Sequence, residues 1–140
     1  MAVADQDVAT KAFPARLEAA PEVAAWVAEL GEGLGLAADL RFALDVCLEE
    51  IFANLVMHGH AQSATLSLTQ TPDVIRLEIE DDGVPFDPSQ VPVNRISGPL
   101  LETQIGGLGI GLVHQLASSV TFRRDAGINH LTLEFARTGE

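Results

Sequence analysis

The stretch that decides the fold runs from residue 38 to residue 58, Ala38-Asp-Leu-Arg-Phe-Ala-Leu-Asp-Val-Cys-Leu-Glu-Glu-Ile-Phe-Ala-Asn-Leu-Val-Met-His58. Its apolar residues recur at helical spacing on most sides, with Asp39 near the start and Gly59 just past the end. A helix that is apolar on most sides is buried by its neighbours. The stretch therefore predicts one long central helix.

Polar residues interrupt this apolar helix on one face. Glu50, Asn54 and His58 are spaced at i, i+4 and i+8, which brings them to the same side. A helix edge exposed to water is the plain explanation, and it is favoured for His58 and Glu49. For Glu50 and Asn54 a function is favoured, because a carboxylate and an amide oxygen one turn apart suit a hydrated Mg²⁺.

Shorter patterns on both sides of the central helix complete the predicted fold. The predicted strands are 10–16, 64–69, 74–80, 120–124 and 130–135, and the other predicted helices are 21–30 and 106–117. Strands joined by short turns pair antiparallel. We therefore expect an α+β fold, a two-layer sandwich in which helices cover one face of a mostly antiparallel mixed sheet.

Composition and charge restrict the kind of protein. The 140 residues are the size of one domain, 1–140, and 47% of them are apolar, too many for a disordered chain. No run reaches the ~18 apolar residues of a membrane span, and the N-terminus lacks a secretory signal, so we expect a cytoplasmic protein. A formal charge of −12 would repel nucleic acid and anionic membranes, which favours a protein partner with a basic patch.

A second motif, Asp81-Asp-Gly83-Val-Pro-Phe86-Asp87, follows the predicted strand 74–80. Acidic residues beside a glycine are also common in ordinary turns. The motif continues to Phe86 and Asp87, and an ordinary turn does not explain these two residues as well. An aromatic ring beside carboxylates suits a flat apolar ligand. A buried Asp81 would accept the exocyclic amino hydrogen of adenine and reject guanine, and Gly83 would let the base approach the backbone.

A third motif, Gly106-Gly-Leu-Gly109-Ile-Gly111, opens the predicted helix 106–117. It fails the Walker pattern and the dinucleotide-binding pattern, because Leu112 stands where those patterns need lysine or glycine. What remains is a flexible glycine turn before a helix, whose free N–H groups and dipole favour phosphate. A loop that only allows close helix packing is about as good an explanation of this motif alone.

Taken together, the three motifs describe a nucleotide pocket, and they resemble the N, G1 and G2 boxes of the GHKL ATPase and kinase superfamily. The resemblance covers about residues 38–135 and implies the Bergerat fold. The forms Glu50-x-x-x-Asn54-x-x-x-His58, Asp81-x-Gly83-x-x-Phe86-Asp87 and Gly106-Gly-Leu-Gly109 are most similar to anti-sigma factor serine kinases. Such a protein binds ATP and Mg²⁺.

The resemblance also implies roles for individual residues. Glu50 would orient or deprotonate the attacking hydroxyl, Asn54 would coordinate Mg²⁺, and Asp81 would bind the adenine amino group. Thr132 would support the adenine, and residues 88–105 would form the nucleotide lid. The remaining nucleotide-binding candidates are Gly83, Phe86, Asp87, Gly106, Gly107, Leu108, Gly109, Ile110 and Gly111.

The implied function is that of an ATP-dependent serine/threonine kinase acting in transcription regulation. Its implied partners are an anti-anti-sigma (STAS-type) protein, which it phosphorylates on serine, and a sigma factor. The resemblance leaves a homodimer open. The alternative is a non-catalytic nucleotide-binding switch module. A histidine kinase or GHKL motor ATPase is less expected, because 140 residues leave no room for their phosphoacceptor helices or transducer domain.

Overall fold

The computed structural model describes residues 6–85 and 105–137 of the chain. These residues contain five strands and three α-helices. The strands are β1 (Gln6–Pro14), β2 (Ser63–Gln70), β3 (Val74–Asp81), β4 (Ser119–Asp125) and β5 (Ile128–Ala136). The helices are α1 (Ala20–Gly33), α2 (Ala38–Met57) and α3 (Ile105–Leu116), with a 3-10 turn at Leu17–Ala19 before α1. No helix in these residues is long and apolar enough to cross a membrane.

The strands form one sheet in the order β1-β2-β3-β5-β4, and each neighbouring pair is antiparallel. The mostly antiparallel sheet predicted from the sequence is therefore confirmed. The mixed component of that prediction is wrong for the described strands. β2–β3 and β4–β5 are hairpins, and a short turn can only return the chain antiparallel to the strand before it.

Apolar rows across the sheet form its half of the core. Leu77 lies opposite Leu68 on β2 and Leu133 on β5, while Ile79 lies opposite Leu66 and Leu131. All of these side chains are buried, as expected when alternate residues of a strand point to one face. The buried residues of α2 cover this face, and they include Leu44, Cys47, Leu48, Ile51, Phe52 and Leu55. The predicted two-layer α+β sandwich is confirmed.

Helix boundaries agree with the sequence to within a few residues. α1 begins at Ala20, with Pro21 in its first turn, and it extends to Gly33. It ends before Gly35, whose φ of +67° reverses the chain at little steric cost. α2 ends at Met57, with the predicted last residue His58 as its C-cap. The short 3-10 turn before α1 was not predicted.

The turn of the closing hairpin is tighter than predicted. The sequence indicated a loop over residues 125–129, but the structure has a two-residue turn at Ala126 and Gly127, with φ of +53° and +80°. Such turns need left-handed backbone at both positions, and the first is usually Asn, Asp or Gly. Alanine there gave no signal of the tight turn. As a result Asn129 lies within β5, paired with a residue on each neighbouring strand.

Candidate functional site

A cleft opens between α2 and the ends of β3, β4 and β5. Its walls are mostly apolar, and Asn54, Asp81 and Asn129 supply its polar side chains. Apolar walls with a few convergent polar groups are typical of small-molecule sites. The lining residues are Ile51, Asn54, Leu55, Gly59, Ile79, Asp81, Val84, Phe122, Asn129 and Leu131.

Asn54 presents an unsatisfied amide at this cleft. The residue is only 8% exposed, and its buried side-chain Nδ2 has no hydrogen-bond partner among residues 6–85 and 105–137. Its backbone oxygen is satisfied by the N–H groups of His58 and Gly59. A buried amide without a partner costs free energy, so it commonly marks a place where a ligand or ion completes the bonding. Rotation of the amide can bring its oxygen to the position of the nitrogen.

Glu50 lies one helical turn before Asn54 and is half-buried. Burial raises the pKa of its carboxyl group above the ordinary value, and the negative charge of Glu49 raises it further. The same surroundings bury Cys47, and burial together with the charge of Glu50 raises the pKa of the thiol to about 12. A thiol with that pKa stays protonated at neutral pH, so Cys47 is a core residue and no nucleophile.

Asp81 has one carboxylate oxygen anchored and one open. Oδ1 accepts hydrogen bonds from the backbone N–H of Gly83 at 2.8 Å and from Nδ2 of Asn129 at 3.0 Å. Oδ2 accepts none from the described residues. The anchored oxygen holds the side chain in the cleft, while the open one is free to accept a hydrogen from a ligand. The neighbouring Asp82 is bonded outside the cleft lining: its Oδ1 accepts hydrogen bonds from the backbone N–H groups of Gln62 and Ser63. These hydrogen bonds lower the pKa of the Asp82 carboxyl group.

Two residues at the site were not predicted. Asn129 is 4% exposed, and it donates to Asp81 and to the backbone oxygens of Val84 (2.9 Å) and Gly83 (3.3 Å). Arg124 donates from one guanidinium nitrogen to Asn129 Oδ1 at 2.7 Å and to Gly83 O at 3.0 Å. The available signal was the alternation of β5, in which Asn129 shares the inward phase of Leu131. An inward polar residue needs a partner.

Gly83 is required here for a structural reason that the sequence did not indicate. A Cβ at this position would lie 2.4 Å from the backbone oxygen of Gly59, which also accepts the N–H of Val84 at 2.8 Å. The chain after α2 and the chain after β3 therefore cross in direct backbone contact. The glycine permits that crossing, while the sequence suggested that it permits approach of a base.

Thr132 lies on the face of the sheet away from the cleft. It is opposite Glu78 on β3 and Thr121 on β4, whereas the buried inward positions of β5 are Asn129, Leu131, Leu133 and Phe135. The predicted contact between Thr132 and adenine does not fit this placement. Strand side chains alternate between faces, so an even-numbered residue of β5 cannot reach a cleft lined by odd-numbered ones.

The glycine motif differs in conformation from its prediction. Residues 105–116 are helical, so Gly106, Gly107, Leu108, Gly109, Ile110 and Gly111 belong to α3 and do not form a turn before it. Packing of α3 against α2 outweighs the low helix propensity of glycine. Phe86 and Asp87 lie outside the described residues, as does the predicted lid except for Ile105, the first residue of α3.

Known proteins resemble this chain in sequence and in fold. The family model described as the histidine kinase-like ATPase domain matches residues 13–135. The serine/threonine-protein kinase BtrW of Bordetella bronchiseptica is 36% identical over 100 residues, which are 69% of this chain and 70% of that protein. The solved RsbU and RsbW domains of Rv1364c from Mycobacterium tuberculosis match with a TM-score of 0.65 and 17% identity, covering 91% of this chain and 32% of that one.

Proposed function

Because this chain belongs to the histidine kinase-like ATPase domain family, we propose that it is an ATP-dependent protein serine kinase of the anti-sigma factor type. It transfers the γ-phosphoryl group of ATP to a serine of an anti-anti-sigma (STAS-type) partner and sequesters a sigma factor. The relative named as a serine/threonine-protein kinase supports the kinase chemistry. The membership also agrees with the GHKL resemblance of the sequence.

The observation that carries the proposal is a cleft with two polar atoms that have no hydrogen-bond partner among the described residues. The unpartnered amide of Asn54 and the open Oδ2 of Asp81 line the same apolar cleft. The faces of an adenine base would pack against the apolar walls of the cleft, and its amino group would donate to Asp81. The amide of Asn54, which lies on α2, would bind the Mg²⁺ that accompanies the phosphates. One adenine nucleotide with its Mg²⁺ would then give both atoms a partner.

The donor set of the cleft fits Mg²⁺ bound together with phosphate. No group of three or more His, Cys, Asp or Glu side chains that could enclose a metal occurs in residues 6–85 and 105–137. Mg²⁺ commonly has one or two protein ligands and takes its other ligands from phosphate and water. Asn54 would supply the protein oxygen. When bound, Mg²⁺ supplies neutralisation of phosphate charge.

The N-terminus of α3 would hold the phosphates. The first four N–H groups of a helix have no partner within it, and the helix dipole favours negative charge there. Those first residues are Ile105, Gly106, Gly107 and Leu108. Gly109 and Gly111 follow, and the lack of a Cβ would let the phosphate chain approach their backbone.

Glu50 would serve as the base of the transfer. Its raised pKa lies closer to neutrality than that of an exposed glutamate, which favours proton transfer from a hydroxyl. The serine hydroxyl of the partner gives its proton to the Glu50 carboxylate, its oxygen takes the γ-phosphoryl group, and ADP leaves. Asn54 and Asp81 position the nucleotide while this happens.

The test compares Asn54→Ala with Thr132→Val, which changes a side chain on the far face of the sheet. The partner is the STAS-type protein recovered with the chain from its native cell, and mass spectrometry locates the phosphoserine. We expect Asn54→Ala to lose transfer by about 100-fold or more, while its affinity for ADP in EDTA stays within about twofold of the wild type. Thr132→Val should transfer normally.

Full activity of Asn54→Ala would exclude the metal role of that residue. Wild-type protein that binds ATP but phosphorylates no partner would instead support the non-catalytic switch module. Failure of the wild type to bind any adenine nucleotide in calorimetry would remove the proposal as a whole.

A further inference from the structure

The Asp81 carboxylate can distinguish one purine base from another only if its own position is fixed. An acceptor that can turn away tolerates a ligand that presents another acceptor, because the repulsion is relieved by rotation. A fixed acceptor cannot escape, so a wrong ligand leaves a buried polar group unpaired. The contacts that hold Asp81 therefore bear on which purine the cleft accepts.

Asn129 supplies a side-chain anchor of Asp81, and its own orientation is determined by its partners. Its Nδ2 faces three oxygens, Asp81 Oδ1, Gly83 O and Val84 O, at 3.0, 3.3 and 2.9 Å. Its Oδ1 faces a guanidinium nitrogen of Arg124 at 2.7 Å. A flipped amide would place oxygen against three acceptors and nitrogen against a donor. Only one orientation satisfies these contacts.

Arg124 closes the network from the edge of the sheet. The three residues form a cross-strand row, since Asn129 on β5 is paired with Asp81 on β3 and with Arg124 on β4. Arg124 also donates to Gly83 O, so it contacts both the side-chain amide of Asn129 and the turn that follows Asp81. Its permanent charge strengthens both hydrogen bonds.

We propose that Asn129, locked by Arg124, is a positioning residue that fixes the Asp81 carboxylate and thereby sets the preference of the cleft for 6-amino over 6-oxo purines. The inference rests on the proposed function, because it assumes that the ligand is a purine nucleotide. Asn129 and Arg124 need not touch the base. They act by keeping Oδ2 of Asp81 in one place.

The experiment measures the dissociation constants of ATP and of inosine triphosphate, whose 6-position is a carbonyl, by calorimetry. The variants are Asn129→Leu, which removes the amide, and Arg124→Met, which removes the hydrogen-bond donor that holds the amide. Thr132→Val, on the same strand but the opposite face, is the matched control. We expect the wild type and the control to prefer ATP by about 100-fold or more, and Asn129→Leu to reduce that ratio at least about tenfold. Arg124→Met should reduce it by a smaller factor.

A purely structural role of Asn129 would weaken both nucleotides by the same factor and leave the ratio unchanged, which would overturn the inference. Equal affinity of the wild type for both nucleotides would overturn it as well, while leaving nucleotide binding intact. If Asn129→Leu does not fold, the Arg124→Met variant decides, because Arg124 is exposed, and an unchanged ratio there overturns the inference. Wild-type protein that binds neither nucleotide refutes the proposed function itself.

Discussion

Glu50 lies in α2 one turn before Asn54, in surroundings that disfavour its charged form. Burial is the larger cause of its raised pKa, and the negative charge of Glu49 is the smaller one. The neutral form is thus preferred in the folded protein over the unfolded chain. Stability from this group is fully present below the ordinary pKa and is lost as pH rises through the raised one.

At neutral pH the ionised Glu50 therefore destabilises the fold, and its replacement by a neutral isostere should have opposite effects on stability and activity. We expect Glu50→Gln to abolish phosphotransfer and to raise the free energy of unfolding at pH 7. The gain should shrink as pH falls through the raised pKa of Glu50 towards the ordinary value of 4.5. Urea denaturation at both pH values measures the difference.

The neighbouring exposed Glu49 offers a matched control. Glu49→Gln should retain transfer, and its activity should persist to lower pH than that of the wild type, because removal of this charge lowers the pKa of Glu50. An unchanged stability of Glu50→Gln at pH 7, or normal transfer by it, would contradict the role assigned to the carboxylate.

At the level of secondary-structure elements, the chain after α2 and the chain after β3 cross in direct backbone contact. Gly83 and Gly59 meet there with no room for a side chain, and the contact sets the distance between the helix that bears Asn54 and the strand that bears Asp81. A hydrogen bond cannot restore this distance once a methyl group separates the two backbones. The crossing therefore defines the width of the cleft.

Substitution of Gly83 by alanine should force these elements apart. We expect Gly83→Ala to cost about 1–3 kcal/mol of stability, the range for overpacking, and to weaken adenine-nucleotide binding. Gly33→Ala at the end of α1 is the control, because no atom of the described part of the chain lies within 4 Å of a Cβ there. Urea denaturation and calorimetry test both variants. Wild-type stability and affinity in Gly83→Ala would show that the crossing does not limit the cleft.

For the molecule as a whole, negative charge is concentrated on the helical layer. The segment 17–57 has eight acidic residues and one basic residue, Arg41, a net of −7 out of the −12 of the chain. Seven of the eight acidic side chains are exposed, so they repel one another through water. The acidic residues are Glu18, Glu22, Glu29, Glu32, Asp39, Asp45, Glu49 and Glu50.

Screening of this repulsion should stabilise the protein. We expect the melting temperature to rise by about 3–5 °C between roughly 0.01 and 0.3 M NaCl, because the Debye length falls below the spacing of surface charges. The triple variant Glu29→Gln, Glu32→Gln, Asp45→Asn changes exposed residues outside the first turns of α1 and α2, so it should melt higher at low salt and respond less to added salt. Calorimetry at both salt concentrations checks this, and equal salt responses of the two proteins would disprove it.

Much of this protein follows from its sequence alone. Helical and alternating periodicity predicted the core, the strands and the position of α2, and the spacing of Glu50 and Asn54 predicted that they share a helix face. These features are local, because burial of apolar side chains is non-directional and needs only the right period along the chain. The Asp81 motif was likewise recognisable, since its residues are contiguous.

The tertiary structure alone decided the partners at the site. The link from Arg124 through Asn129 to Asp81 joins three strands, and the Gly83–Gly59 contact joins residues 24 positions apart. Hydrogen bonds and close contacts depend on register, because neighbouring residues of a strand point to opposite faces of the sheet. Thr132 is an example, since it lies one residue from Leu131 and its side chain is on the face away from the cleft. A periodic pattern determines which side chains are buried, whereas only the assembled sheet determines what each buried polar group meets.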